Sequence, residues 1–179
     1  HDPEELGVRL ETGRFSALIV EADFLLEELF TAAPSLQVVA ICRAALNQVD
    51  LKAATEQGVV VLHTPGRNAQ AVAELVLGHM LALARQILNS SRYVTHGHWE
   101  DPTEPYTRFQ GRELAGATLG VVGLGQIGKR VARMARALGM RVLAHDPYVE
   151  PGARGTKGIE LTGLDELLAG SDFVSIHVP

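Results

Sequence analysis

The stretch Gly123-Leu124-Gly125-Gln126-Ile127-Gly128 decides the fold of this chain of 179 residues. It lies between the apolar run Thr118-Leu119-Gly120-Val121-Val122 and a helical pattern over residues 125–138. A second apolar run over 141–145 follows and is closed by Asp146, eighteen positions after the last glycine. A strand, a glycine-rich turn, a helix, a second strand and a terminal acid in this order are typical of a βαβ unit that binds a dinucleotide.

Each part of this unit has a physical role in such binding. Gly123 permits the tight turn, Gly125 lets the backbone approach a pyrophosphate without a Cβ in the way, and Gly128 lets the helix lie close to the strand. The N–H groups at the helix start then face the pyrophosphate. Asp146 can accept hydrogen bonds from the adenosine ribose and would repel a 2′-phosphate, so the pattern predicts NAD rather than NADP. A structural αβ turn followed by a surface aspartate is the alternative interpretation.

The composition is that of an ordinary globular protein, with 46% apolar and 21% charged residues. A formal net charge of −5 offers no basic footprint for nucleic acid or an anionic membrane. The charge-free apolar run over 75–84 is too short for a bilayer core, which needs roughly 20 residues. Cys42 is the single cysteine, which excludes an internal disulfide framework and favours a reducing, cytoplasmic location.

Strand-like and helical segments alternate along the whole chain. Before residue 66 we expect strands over 17–20, 36–41 and 59–62 with helices over 24–30 and 51–56 between them. After it we expect the glycine unit, then a short strand over 158–161, a helix over 164–169 and a strand over 173–177. Such alternation predicts an α/β fold with parallel strands joined by right-handed crossovers.

A Thr64-Pro65-Gly66 break separates the two series, because proline and glycine interrupt regular elements. It predicts a first domain over 1–66 and a second over 67–179. A helix over 69–88, capped by Asn68, is apolar almost all round and is expected to be buried. The polar stretch 96–111 is expected to be a functional loop or an oligomer arm. The polar opening and the stop just after a strand-like run indicate a partial chain with both domains incomplete.

Beyond the glycine motif, four segments follow one another in a recognisable order. They are 47–54 continuing to 58–61, Thr64-Pro65-Gly66-Arg67-Asn68 with 72–75, 113–128, and 172–179. Together they resemble the substrate-domain strand–helix–strand, the interdomain crossing, the fingerprint and the adenine-side strand of the D-isomer-specific 2-hydroxyacid dehydrogenases. This is the family of D-3-phosphoglycerate dehydrogenase, and the resemblance covers nearly the whole chain.

The resemblance implies an oxidoreductase that acts on a CH–OH group. Hydride passes reversibly between NAD and the α-carbon of a D-2-hydroxy acid, which becomes a 2-oxo acid. The family's catalytic arginine, glutamate and histidine lie C-terminal to residue 179, so no catalytic residue is assigned within this chain. The resemblance implies an α/β fold of two Rossmann-like domains with doubly wound parallel sheets. The family's substrate domain is assembled from both chain ends, and a homodimer through the cofactor domain is expected.

The resemblance also implies two sets of binding residues. The cofactor set combines the glycine stretch, the ribose acid and the two ends of the cleft: Gly123, Gly125, Gln126, Ile127, Gly128, Asp146, Val72, His177, Val178 and Pro179. The substrate set combines a loop whose backbone N–H groups would face a carboxylate with one residue near the nicotinamide end of the cleft: Arg43, Ala44, Ala45, Leu46 and Asn68. The Arg43 side chain could meet an anionic substrate, and a solvated surface arginine is the alternative interpretation. No metal site is expected, because His96 and His98 have no accompanying cysteine or carboxylate set.

Two departures from the family pattern leave the substrate open. The family's substrate loop is commonly rich in glycine, whereas this chain has Cys42-Arg43-Ala44-Ala45-Leu46-Asn47. Alanine at a position of positive φ would cost about 1 kcal/mol or more, so a different loop path is expected. His63 stands where an asparagine is common.

Two rival functions remain open at this point. One is an NAD-binding, corepressor-like interaction module without dehydrogenase activity. The other is a Rossmann enzyme with a different catalytic domain. A histidine, a glutamate and an arginine in the family's C-terminal places would favour the dehydrogenase over the interaction module.

Overall fold

Two structural units make up the chain in a computed structural model, which describes residues 2–178. The chain divides after Arg67, so that the second unit begins at Asn68. Each unit contains its own parallel sheet and its own apolar core. The predicted α/β class is confirmed.

The first unit is a three-stranded parallel sheet in the order β1-β2-β3, with three helices. Its elements are α1 Pro3–Thr12, β1 Ala17–Val20, α2 Glu27–Ala32, β2 Val38–Ile41, α3 Leu51–Glu56 and β3 Val60–His63. The central strand β2 buries Val39 and Ile41 completely, and Leu29 and Phe30 of α2 are buried in the same core. Burial of alternate β2 residues fixes the register of the sheet.

The second unit is a four-stranded parallel sheet in the order β6-β5-β4-β7. Its elements are α4 Ala69–Ala84, α5 Ile87–Thr95, α6 Glu104–Arg108, β4 Thr118–Val122, α7 Gly128–Ala137, β5 Arg141–His145, β6 Glu160–Leu161, α8 Leu164–Gly170 and β7 Phe173–Ile176. The chain runs from β4 to one side of the sheet and then returns to place β7 on the other side. Ligands of open α/β sheets bind beside the strand ends at such a reversal.

The predicted helix over 69–88 is wrong as a single element, because it breaks between α4 and α5. Gln86 lies in the left-handed region with φ +53°. Its side-chain amide donates to the Gln110 carbonyl at 3.0 Å, and the Arg112 N–H donates to the Ala84 carbonyl at 2.8 Å. The segment after α6 therefore ends α4 by capping it, a long-range effect that helical periodicity does not show.

The expected burial of this helix is also wrong. Within the described part of the second unit, α4 buries Ala69, Ala73, Met80 and Ala84, whereas Leu75 and Leu83 are 58% and 73% exposed. Asn68 precedes the helix but makes no capping hydrogen bond with its side chain. Among residues 2–178 no single helix is long and apolar enough to cross a membrane, and only α4 and α5 taken together, bent by 64°, pass that test.

Two helices lie wholly outside the predicted ones, and most of α5 also lies beyond the predicted end at residue 88. The first, α1, starts at Pro3 because the Asp2 carboxylate accepts hydrogen bonds from the N–H groups of Glu4 and Glu5 at 3.0 and 3.1 Å. The second, α6, lies inside the stretch 96–111 that was expected to be a loop. The Tyr93 hydroxyl of α5 donates to the Glu104 carboxylate at 2.7 Å, which ties α6 to the helix before it.

Candidate functional site

The bend between β4 and α7 is shaped by its three glycines. Gly123 has φ +91°, and a Cβ there would lie 2.7 Å from the His177 carbonyl oxygen. A Cβ on Gly128 would collide with the Gly123 carbonyl oxygen. Above Gly125, by contrast, no heavy atom lies within 4 Å of the place where a Cβ would be. Two glycines are therefore required by the protein's own packing, and the middle one leaves an open approach to the backbone.

Backbone N–H groups of this bend are available to a ligand. Gly123 donates to the His145 carbonyl and Leu124 to the Asp146 carboxylate, both at 2.8 Å. The N–H groups of Gly125, Gln126 and Ile127 donate to no acceptor within residues 2–178. Amides left without partners at a helix start carry partial positive charge and form an anion site. The bend therefore fits a diphosphate.

Asp146 lies beside the bend and is fixed to it. One carboxylate oxygen accepts from the Tyr148 N–H at 2.9 Å and the other from the Leu124 N–H at 2.8 Å. These hydrogen bonds hold the pKa of Asp146 below its ordinary value, with Tyr148 the larger cause, and the charges of Lys129 and His145 act in the same direction. The carboxylate is therefore ionised at neutral pH and keeps further lone pairs for a ribose.

The opposite side of the bend is formed by the segment after β7. The His177 N–H donates to the Val122 carbonyl at 2.7 Å, and the Val178 side chain lies against Gly123. His177 Nε2 and the Ser175 hydroxyl are hydrogen-bonded at 2.8 Å, and burial lowers the pKa of His177, so the ring is neutral at pH 7. The structure thus brings His177 and Val178 to the bend, while Pro179 lies outside the described residues.

The two residues predicted near the nicotinamide lie at the start of the second unit. Val72 is half-buried in the first turn of α4, and Asn68 is exposed just before it. Within residues 2–178 no hydrogen bond joins either side chain to the glycine bend. Their contact with a cofactor or substrate stays a prediction.

Four of the five predicted substrate residues lie together in the first unit, in the loop that follows β2, whereas the fifth, Asn68, belongs to the second unit. Arg43, Ala44 and Ala45 are exposed and Leu46 is half-buried. No residue of this loop has a positive φ, so its alanines are not strained and the loop follows a path that needs no glycine. The N–H groups of residues 43–46 find no acceptor in the described part of the chain, which leaves them available to an anion.

His63, at the end of β3, contacts this loop, and the sequence offered no explanation for a histidine at that position. Its ring Nδ1 lies 2.9 Å from the Ala44 carbonyl oxygen, and the neighbouring Thr64 N–H donates to the Arg43 carbonyl at 3.0 Å. The end of β3 therefore braces the loop after β2 at two successive carbonyls. In the sequence, only the unusual histidine before Thr64-Pro65 marks this position. Its hydrogen-bond partner Ala44 is nineteen residues away, so the contact could not be predicted.

Among the described residues no group of three or more histidine, cysteine, aspartate or glutamate side chains is arranged to hold a metal ion. The donor set around the bend is instead made of backbone amides with one carboxylate and one lysine nearby. This set suits the diphosphate and ribose of an adenine dinucleotide. Open amides at a helix start, three fitted glycines and an acid after the next strand define a dinucleotide-binding domain of the Rossmann class.

Comparison with known proteins gives the family. The model of the D-isomer specific 2-hydroxyacid dehydrogenase NAD binding domain matches residues 77–179. A D-3-phosphoglycerate dehydrogenase of Mycobacterium bovis is 42% identical over 171 residues, which are 91% of this chain and 31% of that protein. The chain belongs to the D-isomer-specific 2-hydroxyacid dehydrogenase family, and residues 77–179 of its second unit match the family's NAD-binding domain.

Solved structures agree with this assignment. The TT0316 protein of Thermus thermophilus has a TM-score of 0.87 and 36% identity, covering 100% of this chain and 55% of that one. The D-lactate dehydrogenase of Aquifex aeolicus, complexed with NAD and lactic acid, has a TM-score of 0.80 and 32% identity, covering 100% and 51%. The chain therefore spans about half the length of these structures and a smaller share of the curated dehydrogenase.

Proposed function

We propose that the protein containing this chain is an NAD-dependent oxidoreductase that interconverts a D-2-hydroxy acid and its 2-oxo acid. The observation that carries the proposal is the bend whose Gly125, Gln126 and Ile127 N–H groups are open beside the ionised Asp146. Membership of the D-2-hydroxyacid dehydrogenase family supports the reaction class.

Bound NAD would supply the acceptor for the substrate's hydride. The residues of this chain would bind and orient it: the bend holds the diphosphate, Asp146 the adenosine ribose, and His177 with Val178 the adenine side. Fixing one end of a long cofactor removes much of the entropy cost of placing its reactive end. The chain's own contribution is therefore positioning.

The first unit would supply part of the substrate site. The open N–H groups of residues 43–46 and the Arg43 guanidinium suit a carboxylate, because amides and guanidinium groups both donate to carboxylate oxygens. We therefore propose a substrate domain over residues 1–66 and a cofactor domain over residues 67–179, within one residue of the division after Arg67. The exposed leucines of α4 and α5, including Leu83 and Leu88, support a homodimer, which light scattering on the full-length protein would test.

The experiment for the reaction class is a panel of 2-oxo acids, each added to the full-length protein with NADH. We expect at least one to be reduced, seen as the loss of NADH absorbance, and its D-2-hydroxy acid to be oxidised with NAD. If NADH binds but no member of the panel turns over, the dehydrogenase assignment is wrong. No observation in the chain favours the corepressor-like alternative.

His63→Ala is expected to act on the substrate and not on the cofactor. Without the ring, the loop after β2 loses its brace at Ala44, so we expect KM for the 2-oxo acid to rise about tenfold, the effect of about one hydrogen bond. The dissociation constant for NADH should stay unchanged. His63→Asn keeps a side-chain donor and should restore part of the loss. An unchanged KM in His63→Ala would show that the loop after β2 is not part of the substrate site.

A further inference from the structure

A basic groove runs from the glycine bend along the outer side of α7 in the second unit. It has a volume of about 790 Å³ and opens at Gly125 and Gln126. Four cations come from α7 and two from the loop before β6: Lys129, Arg130, Arg133, Arg136, Arg154 and Lys157. No aspartate or glutamate lines it. In a chain of net charge −5, this is a local concentration of positive charge.

The cations of the groove are not neutralised by the protein. Within residues 2–178, none of the six forms an ion pair with a carboxylate. The side chains of Lys129, Arg133, Arg154 and Lys157 make no hydrogen bond to any described residue either. Like charges gathered in one groove repel each other, and a bound anion would relieve that repulsion.

The other two guanidinium groups are held in place by backbone carbonyls. Arg130 donates to the Gln126 carbonyl at 2.6 Å and to the Gln126 side-chain oxygen at 2.9 Å. Arg136 donates to the Lys157 carbonyl at 2.5 Å, which fastens the loop to the helix. Gly158 follows with φ +73°, a left-handed conformation that favours glycine, and the Arg136 guanidinium lies over it. The Arg136 hydrogen bond joins α7 to the loop before β6 along one side of the groove.

We propose that this groove binds a phosphate group placed next to the adenosine ribose. The site goes beyond the diphosphate site of the proposed function but rests on it, because Gly125, Gln126 and Lys129 border both. Arginine forks and lysine ammonium groups are the side chains that recognise phosphate oxygens.

The position of Lys129 connects the groove to the ribose site. Lys129 lies close enough to Asp146 to act on its charge, and its aliphatic chain packs toward Gly155 in the groove wall. A phosphate in the groove therefore has two possible chemical sources. It can be the 2′-phosphate of NADP(H), which the groove would hold against the repulsion of Asp146, or it can belong to a free oligophosphate that binds beside NAD(H).

The test uses calorimetry on the full-length protein with NADH, NADPH and inorganic tripolyphosphate. Tripolyphosphate is added both to the free protein and to protein saturated with NADH. The groove variant is R133E/R154E, which reverses two exposed charges that form no hydrogen bond or ion pair with other described residues. The matched control is R9E/R14E, which reverses two exposed charges of the first unit that do not line the groove. Thermal melting shows whether both variants remain folded.

If the 2′-phosphate is the source, NADPH binds to the wild type, and R133E/R154E raises its Kd about 30-fold or more. The Kd for NADH should then change less than about threefold, since the bend is untouched. If a free oligophosphate is the source, tripolyphosphate binds to the NADH-saturated wild type and R133E/R154E removes this binding. The proposal is overturned if neither ligand responds to R133E/R154E more than to the control. Failure to bind NADH would instead count against the proposed function, while the titration of free protein with tripolyphosphate still reports on the groove.

Discussion

Gly125→Val is expected to abolish cofactor binding while leaving the protein folded. The structure has no heavy atom within 4 Å of the Cβ position, and Gly125 has no positive φ, so the fold accepts the side chain. The branched side chain would occupy the approach that a diphosphate needs to reach the open amides. We expect the Kd for NADH to rise at least about 100-fold, or about 2.7 kcal/mol. The free energy of unfolding should change by less than about 1 kcal/mol.

Gly78→Val is the matched control for this variant. Gly78 also has no heavy atom within 4 Å of its Cβ position, and it lies in α4 of the same unit. The Gly78→Val variant should therefore bind NADH with the same Kd as the wild type. Gly128→Ala is the opposite case, because its Cβ would collide with the Gly123 carbonyl oxygen and should destabilise the fold. Unaltered NADH affinity in Gly125→Val would show that the diphosphate lies elsewhere.

Asp146→Ser should change the choice between cofactors more than any other single substitution. The carboxylate is ionised at neutral pH because hydrogen bonds from Tyr148 and Leu124 hold its pKa down. Its loss removes charge-assisted hydrogen bonds to the ribose, so kcat/KM for NAD should fall about 10- to 100-fold. The value for NADP should fall less or rise, because a 2′-phosphate no longer meets a negative charge. Measuring kcat/KM for both cofactors gives the ratio directly.

A second variant, Asp146→Asn, and the pH dependence of the wild type both test whether the charge of Asp146 sets the cofactor preference. Asp146→Asn keeps an oxygen acceptor for the Leu124 N–H but loses the charge. We therefore expect it to lower the ratio of kcat/KM for NAD to kcat/KM for NADP while disturbing the bend less than Asp146→Ser does. In the wild type, a lowered pKa keeps the carboxylate ionised as the pH falls, so the preference for NAD should persist from pH 8 down to about pH 5. A ratio that is the same in the wild type and in both variants would refute the assignment of Asp146.

The glycine bend could be predicted because its determinants are local. The tight turn at Gly123 and the close helix packing at Gly128 follow from residues that are adjacent in sequence. The same holds for β4 and β5, whose apolar runs define their ends. The hydrogen bond from Leu124 to Asp146 joins two parts of the same βαβ unit, and only coordinates reveal that it aligns the carboxylate with the bend.

The features that sequence did not reveal depend on distant contacts. The break at Gln86 arises from backbone and side-chain hydrogen bonds to residues 110–112, and the role of His63 from a carbonyl in another loop. The basic groove forms because the loop around Arg154 folds onto α7, where Arg136 and Lys157 are hydrogen-bonded across twenty-one positions of sequence. A pattern of local periodicity contains none of these pairings.

Amide hydrogen exchange of the full-length protein, with and without NADH, tests the central claim most directly. If the bend receives the diphosphate, the amides of Gly125, Gln126 and Ile127 should exchange more slowly when NADH is bound, since each would then donate to a phosphate oxygen or be shielded by it. The amides of α5, far along the same unit, should be unaffected. Binding of NADH without protection of these three amides, or no binding at millimolar NADH, would contradict the account.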